Sequence, residues 1–407
     1  MLLNKNLGGV LLIAGTCIGA GMLALPISTA PVGFWTAGLL IILAGVLMMI
    51  TGLYTAEVNL WFKGSASFIT MTEKTLGKAS KRIVWCLFLF LLYALVAAYI
   101  AGGASLTTHF FSTVLQQSYP EAYSLLPWGL AFCLLVYLGT CAVDVINKLL
   151  VIGLIISYVI LMVVLAPHVH FVPHTFVSHP SFIWAALPIL LTSYGYHIVI
   201  PSVSHYMDHN AKKLRMAIII GSSAALTVYL IWVYLVFGVA SMGAGDQQAL
   251  LSSRQSTESL TAMLSSIVAN PWISTVIGFF IFFALSTSFI GVALGLFHMI
   301  ADGLKIKQNS AGKILVALIT FLPPLLFAAF YPNGFILALS YAGVVVALLH
   351  SILPTVMVWR GRYHLKLSRK NDYRVMGGKP VMLIIILLSC LVIGIAIAGY
   401  CGWTPHV

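Results

Sequence analysis

The sequence has very little charge and no long polar stretch. Charged residues make up 7% of its 407 residues, and only 9 residues are acidic. A soluble domain carries about a quarter charged residues, so this composition excludes an ordinary soluble enzyme or binding domain. The sequence also lacks a phosphate-binding loop, a nucleophile elbow and a zinc-binding motif. These absences argue against an enzyme and against an ATP-driven pump, and they imply no cofactor and no resident metal.

Patterns for disulfides and metal sites are missing as well. The six cysteines show no metal-type spacing, and each falls in or at the end of an apolar run. Histidines do crowd one predicted outer loop, at His168, His170, His174 and His179. No carboxylate accompanies them, so the pattern favours an ordinary loop over a metal site.

What the sequence has instead is a series of long apolar runs. Hydrophobic residues make up 61% of the chain, and each run is long enough to cross a hydrocarbon core about 30 Å thick as a helix. The expected architecture is therefore an all-α integral membrane protein, a single transporter-like domain over residues 1–407. Eleven spans are predicted, at residues 7–30, 34–60, 81–108, 125–142, 146–166, 181–202, 215–240, 272–300, 313–330, 334–358 and 379–402.

The basic residues set the orientation. With the N-terminus in the cytoplasm, every one of the 21 lysines and arginines except Arg254 falls on the inner side of these spans. Basic residues concentrate on the cytoplasmic side of membrane proteins, so the C-terminus is predicted to be periplasmic. The net charge of +12 then indicates contact with membrane lipids and not with nucleic acid.

Two predicted spans contain helix-breaking residues at mid-membrane depth. The first contains GTCIGAGM at 15–22 before Pro26, and the sixth contains TSYGYH at 192–197 before Pro201. Each pattern alone is also typical of close helix packing. Five spans separate the two, which is an odd number, so the two halves would cross in opposite directions. This predicts inverted repeats at 1–166 and 181–358, with 379–402 as an extra helix.

The first break is the predicted substrate site. Amides of Gly19, Ala20 and Gly21 would bind a carboxylate beside the positive end of the following half-helix. Carbonyl groups just before the break, including those of Thr16 and Cys17, would face a cation. Together they suit a zwitterion.

The sixth span is expected to form the facing wall. Its candidate substrate-binding residues are Thr192, Ser193, Tyr194, Gly195, Tyr196 and His197. The two tyrosines would either stack on a substrate ring or pack against other helices. His197 is either a proton carrier, because imidazole titrates near neutrality, or a neutral side chain bonded to a carbonyl.

Carboxylates inside the spans are scarce. Glu57 is a second candidate for proton coupling, with a paired structural role as the alternative. Asp144, Asp208 and Asp302 are expected at cytoplasmic span ends, in loop or gate ion pairs. One such pair, between Lys5 and Asp302, would close the inner mouth.

The sequence resembles the hydroxy/aromatic amino acid permease family over nearly its whole length. Four stretches carry the resemblance: GTCIGAGMLALPISTA at 15–30, the HxxxPS and YMDHNAKKLR elements within 196–215, LSTSFIGVALGLFHMIAD at 285–302 and FLPPLLFAAFYPNGFILALSYAG at 321–343. The resemblance implies a bacterial inner-membrane proton symporter with eleven spans and a LeuT-type fold. One departure is His298, where the family has an acidic residue.

The resemblance also implies the substrate. The expected activity is import of an aromatic amino acid by alternating access, and L-tyrosine is the leading candidate substrate. Tyr99 of the third span and Ser286 and Thr287 of the eighth are the expected wall of the ring site. The alternatives are tryptophan or a small neutral amino acid as substrate, or an amino acid sensor that does not transport.

Overall fold

The chain is built from α-helices. The computed structural model describes residues 5–19, 21–62, 66–115, 122–169, 182–240, 271–307, 309–331, 334–368 and 373–400, and no strand occurs in these ranges. The helices are α1 (Lys5–Cys17), α2 (Gly21–Thr29), α3 (Phe34–Trp61), α4 (Phe68–Leu76), α5 (Lys78–Leu115), α6 (Ala122–Leu138), α7 (Thr140–Leu165), α8 (Ile183–Ser193), α9 (Ile200–Tyr206), α10 (Ala211–Ala240), α11 (Pro271–Gly303), α12 (Ser310–Phe330), α13 (Phe335–Val346), α14 (Leu353–Tyr363) and α15 (Gly378–Tyr400). A π-helical turn, Ala347–Ile352, joins α13 to α14.

The lengths and apolar surfaces of these helices confirm a multi-pass membrane protein. Within the described ranges, nine helical runs are long and apolar enough to cross a membrane, and the bent pair α1–α2 makes a tenth. Helix α6 is apolar but shorter, so the expected number of eleven depends on whether α6 crosses. Large aliphatic side chains such as Leu149, Ile152 and Val163 of α7 are more than half exposed, as a lipid-facing surface requires.

Both predicted helix breaks are present. Helices α1 and α2 are bent by 48° relative to each other, and the Met22 amide bonds to the Gly19 carbonyl across the break. In the sixth span, α8 ends at Ser193 and a 3₁₀ turn, Tyr196–Val199, leads into α9. Glycine lies at each break, and proline lies inside α2 and near the start of α9, so the regular ladder is interrupted where the sequence predicted.

The fourth and fifth spans have different boundaries from those predicted. Gly139 has a φ of 99°, a left-handed conformation that glycine adopts without strain, so α6 ends at Leu138 and α7 begins at Thr140. Asp144 and Lys148, expected at a loop, therefore lie within the first turns of α7. There they form an i,i+4 ion pair of 2.5 Å.

The tenth span also continues further than predicted. Its last helix, α14, ends at Tyr363 instead of near residue 358, and a π-helical turn lies in its middle. As a result Arg362, assigned to a loop by its charge, lies in the last helical turn and is 7% exposed. The other side of this span packs on the sixth, where a Cβ on Gly343 would lie 2.1 Å from the Pro188 carbonyl oxygen.

Candidate functional site

The first break makes close contact with two other spans. A Cβ built on Gly19 would lie 2.1 Å from Ser288 Oγ in α11, and one built on Gly21 would lie 2.8 Å from Ser193 Oγ in α8. Only glycine allows the backbone to approach these hydroxyls so closely. The predicted substrate residues Gly19, Gly21 and Ser193 are thus brought together at one level of the molecule.

Tyr99 lies beside this contact. Its side chain hydrogen bonds to Ser288, and its ring lies 6.2 Å from that of Phe289. Trp128 of α6 donates to the Tyr99 carbonyl at 3.1 Å and packs over Gly103. An aromatic wall with one polar pair therefore stands next to the first break, and its role as a ring site stays a prediction.

Helix α10 holds both breaks from the other side. The Tyr229 hydroxyl lies 2.5 Å from the Cys17 carbonyl oxygen and 2.7 Å from that of Ser193. These are the last residues of α1 and α8, whose carbonyls lack intrahelical partners. Trp232, one turn further along α10, donates to the Met22 carbonyl at 2.9 Å. The carbonyl groups at the two helix breaks are thus bonded by two aromatic side chains.

The tyrosines of the second break are bound to α3. Tyr194 donates to the Ile41 carbonyl at 3.3 Å, and Tyr196 donates to the Met48 carbonyl at 3.1 Å. Their rings pack over Gly45 and Gly52, where a Cβ would lie 3.1 Å from the Tyr194 hydroxyl oxygen and 2.4 Å from that of Tyr196. Both side chains are fully buried. Of the two roles expected for them, this geometry is that of helix packing.

His197 is fully buried beside a second histidine. Its Nε2 lies 2.9 Å from Thr51 Oγ1, and its Nδ1 has no hydrogen-bond partner. The His197 ring stacks on that of His350 with centroids 4.8 Å apart and planes 11° apart. Neither nitrogen of His350 has a partner. The second histidine was missed by sequence reasoning, although a lone histidine in an apolar span is a signal that could have found it.

Glu57 is paired with an arginine in the interior. Arg362 donates to its two carboxylate oxygens at 2.6 Å and 2.5 Å, and the Val375 amide donates to one of them at 2.8 Å. Arg362 also donates to the Val375 carbonyl at 2.9 Å. The four bonds connect α3, α14 and the segment before α15. Of the two roles proposed for Glu57, this arrangement is the structural pair.

The predicted pair between Lys5 and Asp302 is not formed in this structure. Lys5 instead lies 2.7 Å from Asp208, in the turn after α9. Both side chains are at least half exposed, and the hydrogen bond from Lys5 lowers the pKa of Asp208 below its ordinary value. Asp302 is exposed at the far end of α11. The ammonium reaches the nearer carboxylate because α1 packs along α9 and α10.

The remaining candidates are hydroxyl-bearing residues. Thr16 and Ser193 bond to carbonyls in their own helices, at 2.6 Å and 3.0 Å. Thr192 bonds to the Pro188 and Leu339 carbonyls, and Thr287 bonds to that of Ala284. The Ser286 hydroxyl is buried without a hydrogen-bond partner, which makes it available to a polar group. Gly195 lies in the second break, and Ala20 lies outside the described residues.

The two halves of the first span differ in burial. Every residue from Met22 to Thr29 in α2 is buried. In α1, by contrast, Leu12, Gly15 and Thr16 are exposed. Helix α11 has an exposed stripe that begins near Ser288 and contains small and polar residues: Gly291, Gly295, His298 and Asp302. The exposed residues of α1 lead from the Gly19–Ser288 contact towards Lys5, and those of α11 lead from it towards Gly303.

No residues within the described ranges form a group of three or more metal-ligating side chains. Of the four histidines in the predicted outer loop, His168 bonds through Nδ1 to the Val164 carbonyl oxygen at 3.0 Å. His170, His174 and His179 lie outside the described residues, as does Arg254.

Comparison with known proteins agrees with this architecture. A model of the tryptophan/tyrosine permease family matches residues 3–396. The chain is 35% identical to the tyrosine-specific transport system 1 of Haemophilus influenzae, over 100% of both chains. It is 32% identical to a tryptophan-specific transport protein of the same organism, over 98% of this chain and 96% of that one. A manganese transporter of Eremococcus coleocola has a similar fold, with a TM-score of 0.65 at 14% identity over 97% of this chain and 87% of the transporter.

Proposed function

The chain belongs to the tryptophan/tyrosine permease family, and we propose that it imports an aromatic amino acid together with a proton. L-tyrosine is the first candidate substrate. The observation that carries the proposal is the pair of broken helices, joined at Gly21 and Ser193 and lined by Tyr99 and Ser288. Relatives specific for tyrosine and for tryptophan are similarly close, at 35% and 32% identity. L-tryptophan is therefore the second candidate substrate.

The packing of the helices supports an inverted repeat at 1–166 and 181–358 with α15 as an extra helix. With α6 counted as the fourth of eleven spans, the first span packs on the seventh through α10, and the sixth packs on the second through α3. The third span packs on the tenth through α5 and α13, and the eighth span packs on the fifth through α11 and α7. Each contact thus recurs after a shift of five spans, as a pseudo-two-fold axis in the membrane plane requires.

The exposed stripe of α11 supports an inward-facing state. A lipid-facing stripe would be rich in leucine and isoleucine, whereas this one contains glycine, histidine and aspartate. A Cβ built on Gly15, Gly291 or Gly295 would meet no atom within 4 Å. In the proposed orientation, with the N-terminus in the bacterial cytoplasm, water would reach the break from inside. The outer half of the same span is enclosed, which is one of the two states that alternating access needs.

The substrate would bind across both breaks. Its carboxylate would accept from amides around Gly19 and Gly21, at the positive end of α2. Its ammonium would donate to the Cys17 and Ser193 carbonyls, which keep a free lone pair beside the Tyr229 hydrogen bond. Its ring would lie against Tyr99. A substrate hydroxyl needs a buried polar partner, and the unpartnered Ser286 hydroxyl is one candidate.

His197 is the proposed proton carrier. It is an intramembrane ionisable group with a bare ring nitrogen, and it follows directly on the second break. Glu57, the other candidate, is held by Arg362 in the buried ion pair described above, so its carboxylate oxygens already have partners. Proton binding at His197 would then favour one of the two access states.

Uptake by the purified protein in proteoliposomes tests the proposal. Radiolabelled tyrosine should accumulate when the outside is acidic, and a sodium gradient should have no effect. Unlabelled tryptophan and phenylalanine should be tested as competitors. Sodium-dependent uptake that ignores the proton gradient would refute the symport, and strong competition by small neutral amino acids would refute the aromatic site.

A pair of glycine variants tests the location of the site. Gly19→Ala would place a methyl group 2.1 Å from Ser288 Oγ, so we expect substrate binding to be lost. Gly15→Ala, one turn earlier, meets open space and serves as the matched control. Normal binding by Gly19→Ala would show that the substrate does not use this break.

A further inference from the structure

Two buried histidines from different spans lie face to face, and only one of them was expected. His197 belongs to the turn after the second break, and His350 belongs to the π-helical turn of the tenth span. Both are buried, and their ring planes are 11° apart. Single π-helical turns inside α-helices occur frequently at functional sites, because the extra residue redirects a side chain.

Three of the four ring nitrogens of this histidine pair (His197 and His350) have no hydrogen-bond partner. Buried polar atoms in proteins are nearly always bonded, so an unbonded group requires an explanation such as a ligand that comes and goes. The explanation must fit the surroundings of the pair, which are apolar and aromatic. The rings of Phe68 and Phe88 lie 6.3 Å and 6.2 Å from that of His350.

The Thr51 hydroxyl lies 3.2 Å from the Met48 carbonyl oxygen and 2.9 Å from Nε2 of His197. When this hydroxyl donates to the Met48 carbonyl, it accepts from Nε2–H of His197. In the neutral ring this leaves Nδ1 of His197 as a bare lone pair. His350 likewise carries one N–H and one lone pair without partners. The proton acceptor of the pair is therefore already oriented.

We propose that His197 and His350 together form the binding site for one transported proton. The proton adds to the Nδ1 lone pair of His197 and leaves from the same atom, so no other bond changes. The resulting imidazolium lies between the faces of Tyr196, at 4.9 Å, and His350, at 4.8 Å, and aromatic faces attract a cation. A second proton at this distance is disfavoured by like-charge repulsion. This inference rests on the proposed proton symport.

The charged groups nearest to the histidine pair do not neutralise the charge of a proton bound there. From α3 the pair meets Thr51, from α4 and α5 it meets Phe68 and Phe88, and from the turn of His197 it meets Tyr196. No acidic or basic side chain of the described residues acts on either ring except the other histidine. Glu57 lies two further turns along α3 and is bound to Arg362. Proton occupancy therefore changes the net charge of this part of the interior.

The histidine pair contacts the second helix break, which is part of the proposed substrate site. A Cβ built on Gly195 would lie 3.9 Å from Cε1 of His350, so the ring packs directly on the second break. A change of charge on the pair thus acts where α8 and α9 meet. This is the physical link that proton-coupled alternating access requires, since the proton must bind the two states with different affinity.

The test uses the full-length protein in proteoliposomes with two readouts. Exchange of external labelled for internal unlabelled tyrosine needs no proton gradient, whereas net accumulation does. With one proton per substrate, a gradient of one pH unit supports about tenfold accumulation, because each pH unit is a tenfold ratio of proton activity. The variants are His350→Gln and His350→Phe, which retains a flat ring, and the matched control is His364→Gln, an exposed histidine at the end of the same span.

We expect both His350 variants to keep exchange within about threefold of the wild type and to lose the tenfold accumulation, since the proton site is removed and the substrate site is retained. His364→Gln should behave as the wild type. Wild-type accumulation by either His350 variant would overturn the proposal. Loss of tyrosine exchange with normal phenylalanine exchange would also overturn it, because His350 would then read the substrate hydroxyl.

A measurement independent of transport separates this inference from the proposed function. In ¹⁵N spectra of histidine-labelled protein, the pair should take up one proton as the pH is lowered from about 9. The His197 resonance should change its titration in His350→Phe. An unchanged His197 titration would overturn the inference even if uptake is normal. Absence of both exchange and accumulation in the wild type would instead refute the proposed function.

Discussion

The buried pair of Glu57 and Arg362 gives the sharpest stability prediction. Glu57 accepts three hydrogen bonds, and the two side chains are 0% and 4% exposed. Glu57→Gln keeps the size of the side chain but leaves the guanidinium without its counter-charge. Removal of one partner from a buried ion pair costs about 3–5 kcal/mol. We expect this loss in the free energy of unfolding.

The double variant Glu57→Leu with Arg362→Met should be more stable than Glu57→Leu alone or Arg362→Met alone. Both charges are gone, and the remaining cost is the Val375 amide and carbonyl left without partners, about 1 kcal/mol each because Val375 is only partly buried. The losses of unfolding free energy in the two single variants would add to about 6–10 kcal/mol. The loss in the double variant should be smaller than this sum by more than about 3 kcal/mol. Such coupling is expected only if the two charges compensate each other in the interior.

Thermal unfolding in detergent micelles measures these differences. A loss of 1 kcal/mol moves the midpoint by about 2–4 °C in a domain of 150–250 residues and by roughly half that in a longer chain. Each single variant should therefore melt about 5 °C below the wild type, and the double variant should melt closer to it. Single variants that melt with the wild type, or strictly additive losses, would refute the buried-pair reasoning.

The same double variant tests the coupling mechanism. If the proton is carried by a histidine, the variant should keep its response to an inward proton gradient, because neither removed group carries the proton. Loss of the response in a folded variant that still exchanges substrate would return that role to Glu57.

Three further predictions concern packing and the inner face. Gly52→Ala would place a methyl group 2.4 Å from a tyrosine hydroxyl of the second break, so it should destabilise the protein and reduce transport, whereas Gly278→Ala meets open space and should melt within about 1 °C of the wild type. Equal melting of the two variants would contradict this. Tyr229→Phe removes the hydrogen bonds to both broken ends, and it should weaken substrate binding by about tenfold or less, as measured by equilibrium binding. Unchanged binding would mean that these carbonyls do not hold the substrate. Asp208→Asn should lower the inward-facing fraction, measured by labelling of a cysteine placed on the exposed stripe of α11, by no more than about fivefold, because solvent screens the exposed pair with Lys5. The pKa of Asp208 is lowered in the folded protein, so this contribution is complete above its ordinary pKa and is lost only as the pH falls through the lowered value. A change in wild-type labelling between about pH 6 and about pH 8 that Asp208→Asn abolishes would therefore contradict the assignment.

Local composition was enough to predict the helices and their breaks. A run of apolar residues has no stable alternative to a helix in lipid, because its backbone groups must pair within the segment. Glycine and proline interrupt that ladder wherever they occur, so both breaks were predictable to within a few residues. The short α6 and the immediate start of α7 were missed, since the left-handed φ of Gly139 is not distinguishable from other glycine conformations in a sequence.

Side-chain partners were less predictable. Lys5 was paired with Asp302 on charge alone, but the structure gives it Asp208, because α1 packs along α9 and α10. Tyr194 and Tyr196 were possible ligand contacts until their hydroxyls proved to be bonded to α3. Arg362 gave no sign in the sequence of being the partner of a carboxylate 305 positions away.

The sequence by itself determined that the chain is a helical membrane protein, and it located two interrupted helices and the glycines within them. These properties follow from transfer of each segment into lipid and from local backbone freedom, which act over a few residues. Only the tertiary structure decided that one tyrosine of α10 binds both broken ends, that Glu57 is a buried structural ion, and that His197 faces His350. Such pairings depend on which helix faces which, and hydrophobic transfer into lipid does not distinguish one face-to-face arrangement from another.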